Sequence, residues 1–118
     1  MDDGRPIFLQ IAEQLESQII DGSMREETQV PSINDLAAFH RINPATALKG
    51  VNLLVDAGIL YKKRGIGMFI AEGARERLIA ARTDAFQDHY VRPLVAQAKA
   101  LGITPEQLRR MIGREAGQ

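Results

Sequence analysis

Two short clusters of residues in this chain carry side chains suited to holding a nucleic acid. The first is Asn43-Pro44-Ala45-Thr46, with Lys49 following one turn later. An amide can pair bidentately with adenine, a hydroxyl can bond a phosphate, and a small apolar side chain can touch a thymine methyl. A helix that starts at such a point also aims unpaired N–H groups at a phosphate. The second cluster is Lys62-Lys63-Arg64, directly followed by Gly65 and Gly67. Its cations can neutralise phosphates, and its glycines let the backbone approach another surface closely. Taken alone, Asn43 and Pro44 merely begin a helix, and a Lys-Lys-Arg run is a solvated edge that discourages strand aggregation. Their order along the chain turns them into a DNA-holding device.

Other chemistry finds little support. The chain has no cysteine, so it has no disulfide framework and no thiolate for catalysis or zinc. His40 and His89 lie in different segments without a neighbouring ligand cluster, which argues against a metal site. The paired glycines 65 and 67 lack the strand-to-helix setting of a nucleotide-binding loop. Asp84, Asp88 and His89 read as a solvated polar stripe on one helical face. No catalytic set emerges, so an enzyme is disfavoured and neither metal nor cofactor is expected.

The elements that must position these clusters are legible from periodicity. Ile7, Ile11, Leu15 and Ile19 recur every four residues, with Phe8 and Ala12 widening an amphipathic helical stripe. Pro6 suits its first turn, and Gly22 is placed to end it in a left-handed cap. Residues 23–30 are polar and aperiodic, a loop. Ser32 with Asp35 three residues on gives a capping-box-like start, followed by Ile33, Leu36 and Ala37 facing inward. A short turn through His40-Arg41-Ile42 leads to Asn43 as N-cap and Pro44 at the first helical position. That helix presents Ala47, Leu48, Val51, Leu54 and Val55 to the core until Gly58 stops it. Leu60 to Lys63 and Met68 to Ala71 are short strands around the tip Arg64-Gly65-Ile66-Gly67. Two capped helices joined by a turn and then a basic hairpin make a helix-turn-helix with a wing.

Beyond Glu72 the composition shifts to alanine and arginine. The segment from Ala74 to Leu101 reads as helix, with Leu78, Ile79, Phe86, Leu94, Val95 and Ala98 as candidate buried positions. Pro93 should kink or divide it, because its ring removes a backbone donor and crowds the preceding turn. Thr104 caps a last helix whose apolar face is Leu108, Met111 and Ile112.

At 118 residues, 45% hydrophobic and 25% charged, the chain has the size and composition of one globular domain with an appendage. No apolar run approaches the roughly 18 residues of a membrane span. The acidic Met1-Asp2-Asp3-Gly4 start lacks the regions of a secretory signal, and a cytoplasmic location is expected. The net charge of zero conceals an uneven distribution. Residues 35–70 carry Arg41, Lys49, Lys62, Lys63 and Arg64 against Asp35 and Asp56, five against two, for +3. Residues 1–34 carry Arg5 and Arg25 against Asp2, Asp3, Glu13, Glu16, Asp21, Glu26 and Glu27, two against seven, for −5. For a polyanion the local patch counts, not the total.

Several stretches together resemble the GntR family of bacterial transcription regulators. They are Pro6-Ile7-Phe8-Leu9-Gln10-Ile11, Ile19 to Gly22, Pro31-Ser32 with Leu36-Ala37, and Gly65-Ile66-Gly67-Met68-Phe69-Ile70. Within the family, Ile42-Asn43-Pro44-Ala45-Thr46, Gly58-Ile59-Leu60-Tyr61, Arg64-Gly65 and the tail Ala100-Leu101-Gly102-Ile103-Thr104 are similar to the YtrA subfamily. The resemblance implies a repressor, often of a transporter operon that includes its own gene, and it places Ser32 and Asn34 among the DNA-facing positions. Two residues depart from the pattern. Asn34 stands where the family usually has an arginine, which removes a DNA-contacting cation, and Glu27 stands where it has a glycine.

The expected architecture is mostly α with a small β-hairpin. A winged helix-turn-helix DNA-binding domain covers residues 1–72 and a helical hairpin covers 73–118. A domain of about seventy residues buries only some 60% of its chain surface and gains from further burial. The tail's apolar face is therefore assigned to a homodimer interface through Leu78, Phe86, Leu94, Val95, Leu108, Met111 and Ile112. A twofold dimer sets two reading helices about one DNA turn apart on a near-palindromic operator. About 45 tail residues are too few for a deep pocket, so a small-molecule effector, if there is one, is expected in a cleft between subunits. The competing reading is a winged helix that binds a protein through the same surface.

Overall fold

The computed structural model describes residues 4–117. Helix α1 (Ile7–Ile20) buries Ile11, Ala12, Leu15 and Ile19, while Ile7 at its exposed start stays outside. Helix α2 (Ile33–His40) begins where Ser32 Oγ accepts from the Asp35 N–H at 3.0 Å. It ends at Arg41, whose φ of 55° is left-handed. Helix α3 (Pro44–Asp56) buries Ala47, Gly50, Val51 and Leu54. Leu48, expected to face inward, is exposed. At 3.6 residues per turn, positions 47, 50, 51 and 54 make one stripe, and 48 lies about 60° beyond its edge at Val51.

Strands β1 (Leu60–Lys63) and β2 (Gly67–Ile70) pair antiparallel, Leu60 opposite Ile70 and Lys63 opposite Gly67. The second strand thus starts one residue earlier than its apolar pattern suggests, because Gly67 takes the place opposite Lys63. The polar loop 23–30 is more ordered than its composition implies. The Glu27 and Val30 N–H groups donate to Ile70 O and Met68 O, and Ile70 N–H returns a bond to Thr28 O, all within 2.8–3.1 Å. Loop residues therefore line the outer edge of the two-stranded sheet.

The core joins the stripes of α1, α2 and α3 to Val30, Ile59, Leu60 and Ile70. Helices α1 and α3 pack tightly at Gly50. A Cβ there would stand 2.7 Å from the Phe8 carbonyl oxygen and 3.3 Å from Ile11 Cβ. No side chain larger than hydrogen fits without moving one backbone off the other.

Helix α4 (Ala74–Phe86) opens with Ala74 and Leu78 in the same core. The first compact unit accordingly extends to Ile79, and the second begins at Ala80. That division falls seven residues beyond Glu72, where the composition changes, because packing follows the buried face of α4's first turns. In the second unit the chain stays helical past Pro93. A π-helical turn (Gln87–Val91) links α4 to α5 (Arg92–Ala100), with the Arg92 N–H bonded to Gln87 O. The wider turn is the form taken by the expected interruption: it absorbs an extra residue just where proline withholds its donor. Helix α6 (Pro105–Glu115) starts with a complete capping box between Thr104 and Gln107, at 3.1 and 2.8 Å. It buries no residue; Met111 and Ile112 are exposed, as are Phe86, Leu94 and Val95. Among the described residues, no helix is long and apolar enough to cross a membrane.

Candidate nucleic-acid interface

The first turn of α3 presents Asn43, Pro44 and Ala45 to solvent and Thr46 half-buried. Asn43 is the N-cap: its side-chain oxygen accepts the Ala45 N–H at 2.8 Å. Any bidentate contact of this amide with adenine must therefore share that oxygen with the cap. Ser32 likewise spends its hydroxyl oxygen on capping α2, whereas the side chain of Asn34 in the first turn is exposed. Arg41, in the turn between the two helices, is exposed too and adds a cation that α2 and α3 flank.

Two of the expected DNA-facing lysines lie over aromatic rings. Lys49 Nζ sits 4.0 Å from the centroid of the Phe8 ring, against α1. Lys63 Nζ sits 4.3 Å from the Phe69 ring centroid and 5.9 Å from that of Tyr61, and these two rings stack at 6.0 Å. Such contacts are worth roughly 0.5–1 kcal/mol at exposed sites, little enough for a phosphate to outcompete. Lys62 and Arg64, also on the wing, are exposed.

The wing tip is braced from outside the hairpin. Ile66 N–H closes the turn onto Lys63 O, and the Gln29 side-chain amide donates to Ile66 O, both at 2.9 Å. Gly67 has φ 144°, a conformation that strains any residue with a Cβ, and a Cβ there would lie 2.5 Å from the movable end of the Gln29 side chain, Nε2. Sequence reasoning missed Gln29, because a contact 37 residues away leaves no local signal. Glu27 fills the left-handed position 27 with φ 65°, at a cost of roughly 1–2 kcal/mol for a residue with a Cβ. Its carboxylate accepts the Tyr61 hydroxyl at 2.7 Å, a bond to the neutral phenol that raises the tyrosine pKa.

A second set of long-range contacts anchors the first turn of α4 within the first unit. Glu26 accepts the backbone N–H groups of Gly73 and Arg75 at 2.8 and 3.1 Å, capping the start of α4. Those two donors hold its carboxyl below the usual carboxylate range. Arg75 Nε donates to Ile20 O at the end of α1, and an Arg77 guanidinium nitrogen to Gly58 O just past α3, at 2.8 and 2.7 Å. The first turn of α4 thus satisfies the last carbonyl of α1 and one in the turn that follows α3.

The residues expected at a self-association surface divide. Leu78 is 5% exposed and part of the first unit's core, so it offers no surface to a partner. Phe86, Leu94, Val95, Met111 and Ile112 are exposed, and Leu108 is half-buried. Among the described residues, no three His, Cys, Asp or Glu side chains converge to hold a metal ion.

Residues 8–70 match the family described as bacterial regulatory proteins, gntR family. The match extends through α1, α2, α3 and both strands, more than half of the chain, and this protein belongs to the GntR family, whose members are regulators and not enzymes. The chain is 29% identical to the HTH-type transcriptional repressor YtrA of Bacillus subtilis, over 91% of this chain and 82% of the repressor. It also superposes on the crystal structure of a GntR-family transcriptional regulator from Bacteroides thetaiotaomicron. There the TM-score is 0.80 and the identity 30%, over 94% of this chain and 96% of the other. The DNA-binding domain of AraR, crystallised in complex with an operator, matches with a TM-score of 0.53 at 30% identity. That alignment covers 54% of this chain and 77% of the other. The fold is a winged helix-turn-helix followed by short helices, of the kind found in transcriptional regulators.

Proposed function

We propose that this protein is a cytoplasmic transcriptional repressor that binds a near-palindromic operator as a homodimer. The observation that carries the reading is the exposed start of α3. It presents only small and polar groups, in a fold whose relative AraR was crystallised on operator DNA. Asn43, Ala45, Thr46 and Lys49 read bases, with Pro44 setting the start of the helix. Ser32, Asn34, Lys62, Lys63, Arg64 and the backbone at Gly65 and Gly67 grip phosphates. The repressor sense is supported by the likeness to YtrA, which is named a repressor.

The homodimer is supported by the apolar groups that α5 and α6 leave uncovered, Leu94, Val95, Met111 and Ile112, together with Phe86 at the end of α4. A small chain rarely exposes so many large apolar side chains without a partner. A second winged helix on the same duplex raises the effective concentration of the first, so specificity depends on the tail.

Selection of binding sites from random duplexes, followed by salt titration on the winner, tests the reading. Replacing Lys62, Lys63 and Arg64 together by alanine should weaken binding to every duplex. It should also lower the salt slope by about 0.9 for each phosphate no longer neutralised. A folded triple variant with an unchanged slope rules out the wing as a phosphate clamp. Failure to select any sequence favours the protein-interaction alternative.

A further inference from the structure

Outside the α3 and wing surface, the first unit holds a cavity of about 310 Å³ between α1 and α2. Its floor is apolar, made by Ile11, Leu15 and Leu36. Two side-chain pairs at i,i+4 spacing form its walls: Gln14 and Gln18 on α1, Asp35 and Phe39 on α2. That spacing stacks each pair on one face of its helix. Phe39 is 78% exposed, more than any other large hydrophobic residue described, and His40 meets it edge to face at 4.9 Å. An aromatic ring so placed does nothing for the core. The side chains of Gln14, Gln18 and Asp35 make no hydrogen bond among the described residues. Among the described residues, no lysine or arginine lines the cavity. Burial lowers the His40 pKa, which favours the neutral imidazole.

We propose that this cavity is a binding site for a small organic cation, an amine or ammonium group on a compact apolar or aromatic body. Asp35 supplies the counter-charge, and the open face of Phe39 supplies the ring quadrupole that attracts cations. The two glutamine amides orient the ligand's remaining polar groups, and the apolar floor takes its body. The volume lies at the lower end of the range for small-molecule sites, which sets the size of the guest. An anionic guest meets the Asp35 carboxylate with no cation to offset it, and a purely apolar one leaves that carboxylate poorly solvated.

The site lies on the helix whose N-cap, Ser32, and first-turn residue, Asn34, belong to the proposed DNA surface. A guest held by Asp35 and Phe39 fixes α2 relative to α1. It changes DNA affinity to the extent that free and bound DNA-binding units differ in that packing. This regulatory half rests on the DNA reading above; the binding half does not.

Benzylamine is the probe, with benzyl alcohol and benzoate as neutral and anionic counterparts, titrated into the full chain and followed by amide NMR without DNA. Benzylamine should shift the signals of Gln14, Gln18, Asp35, Phe39 and His40 saturably. Benzyl alcohol and benzoate should bind about tenfold more weakly, as expected where one charge-assisted hydrogen bond is missing. Asp35→Asn should remove that preference, and Phe39→Ala should weaken benzylamine severalfold. Both side chains are exposed, and a melt of each variant checks its fold. Equal binding of all three probes, or no saturable shift at these residues, overturns the site. So does a Phe39→Ala variant that alters self-association in a chain that ignores benzylamine, since a second copy then covers the cavity. Unchanged affinity for the selected duplex with benzylamine bound overturns the regulatory half alone. If no duplex is selected at all, the DNA reading fails while the binding result stands.

Discussion

Substituting Gly50 by alanine sets two opposed effects against each other, and the structure decides the sign. Gly50 lies inside α3, where alanine is the better helix former by about 1 kcal/mol. On propensity alone Gly50→Ala should stabilise. The added methyl, however, would stand 2.7 Å from the Phe8 carbonyl oxygen and 3.3 Å from Ile11 Cβ. The nearer of these atoms belongs to backbone, so no rotamer change relieves it, and α1 must shift off α3. Overpacking of this kind costs roughly 1–3 kcal/mol. The balance is a net loss of roughly 1 kcal/mol and at most about 2 kcal/mol. For a unit of this size each kcal/mol moves the melting midpoint by about 4–8 °C. Urea and thermal unfolding of the full chain measure it, with binding to random duplex as a control. That binding should persist at temperatures where the variant is folded, because Gly50 is on the core face of α3 and not on its exposed start. A variant as stable as the parent, or more so, refutes the reasoning, because α1 and α3 would then be free to separate without penalty.

Other substitutions separate roles that the structure assigns to different residues. Asn43→Ala removes the cap bond to Ala45 N–H and should cost about 1 kcal/mol of stability. If Asn43 also reads a base, discrimination at one operator position should fall by a further 1–3 kcal/mol or so, which competition between selected and mutated duplexes reports. Leu78→Ala should destabilise the protein by about 2–5 kcal/mol, as truncation of a core leucine does, without changing self-association. Met111→Ala should do the reverse, leaving the melt of dilute protein nearly unchanged while weakening self-association in sedimentation. Glu26 ionises more readily in the folded state than in the unfolded chain, because its carboxylate accepts the Gly73 and Arg75 N–H bonds. Its contribution is therefore complete above the ordinary carboxylate value and is lost as pH falls through the lowered folded one. Glu26→Gln should flatten that part of the acid-unfolding profile, and a profile identical to the parent's would show that Glu26 does not stabilise the start of α4.

Much of the first unit is legible in the sequence because its signals are local. The four-residue spacing of Ile11, Leu15 and Ile19, the caps at Ser32 and Asn43, and the glycines that close α1 and α3 each act within one or two turns. Propensity and capping depend on neighbours in the chain, so they can be read in order. The basic hairpin is recognisable for the same reason, down to its tip. The start of its second strand differs by one residue, since pairing depends on what Gly67 meets across the strand. Leu48 falls outside the core because two adjacent helix positions differ only in which side of the stripe a neighbouring helix covers.

What only the tertiary structure decided are the contacts between residues far apart in sequence. Gln29 bracing Ile66, Glu26 capping α4 and Tyr61 donating to Glu27 all join segments that have no reason to pair until the core brings them together. Leu78 shows the same limit in one residue. On the helix that carries it, the apolar pattern is too weak to tell the core from a free face, and only packing put it in the core. The cavity beside Phe39 is likewise a property of two helices at once. Periodicity reports which side of a helix is apolar, but the space left between two apolar sides depends on how closely the helices meet.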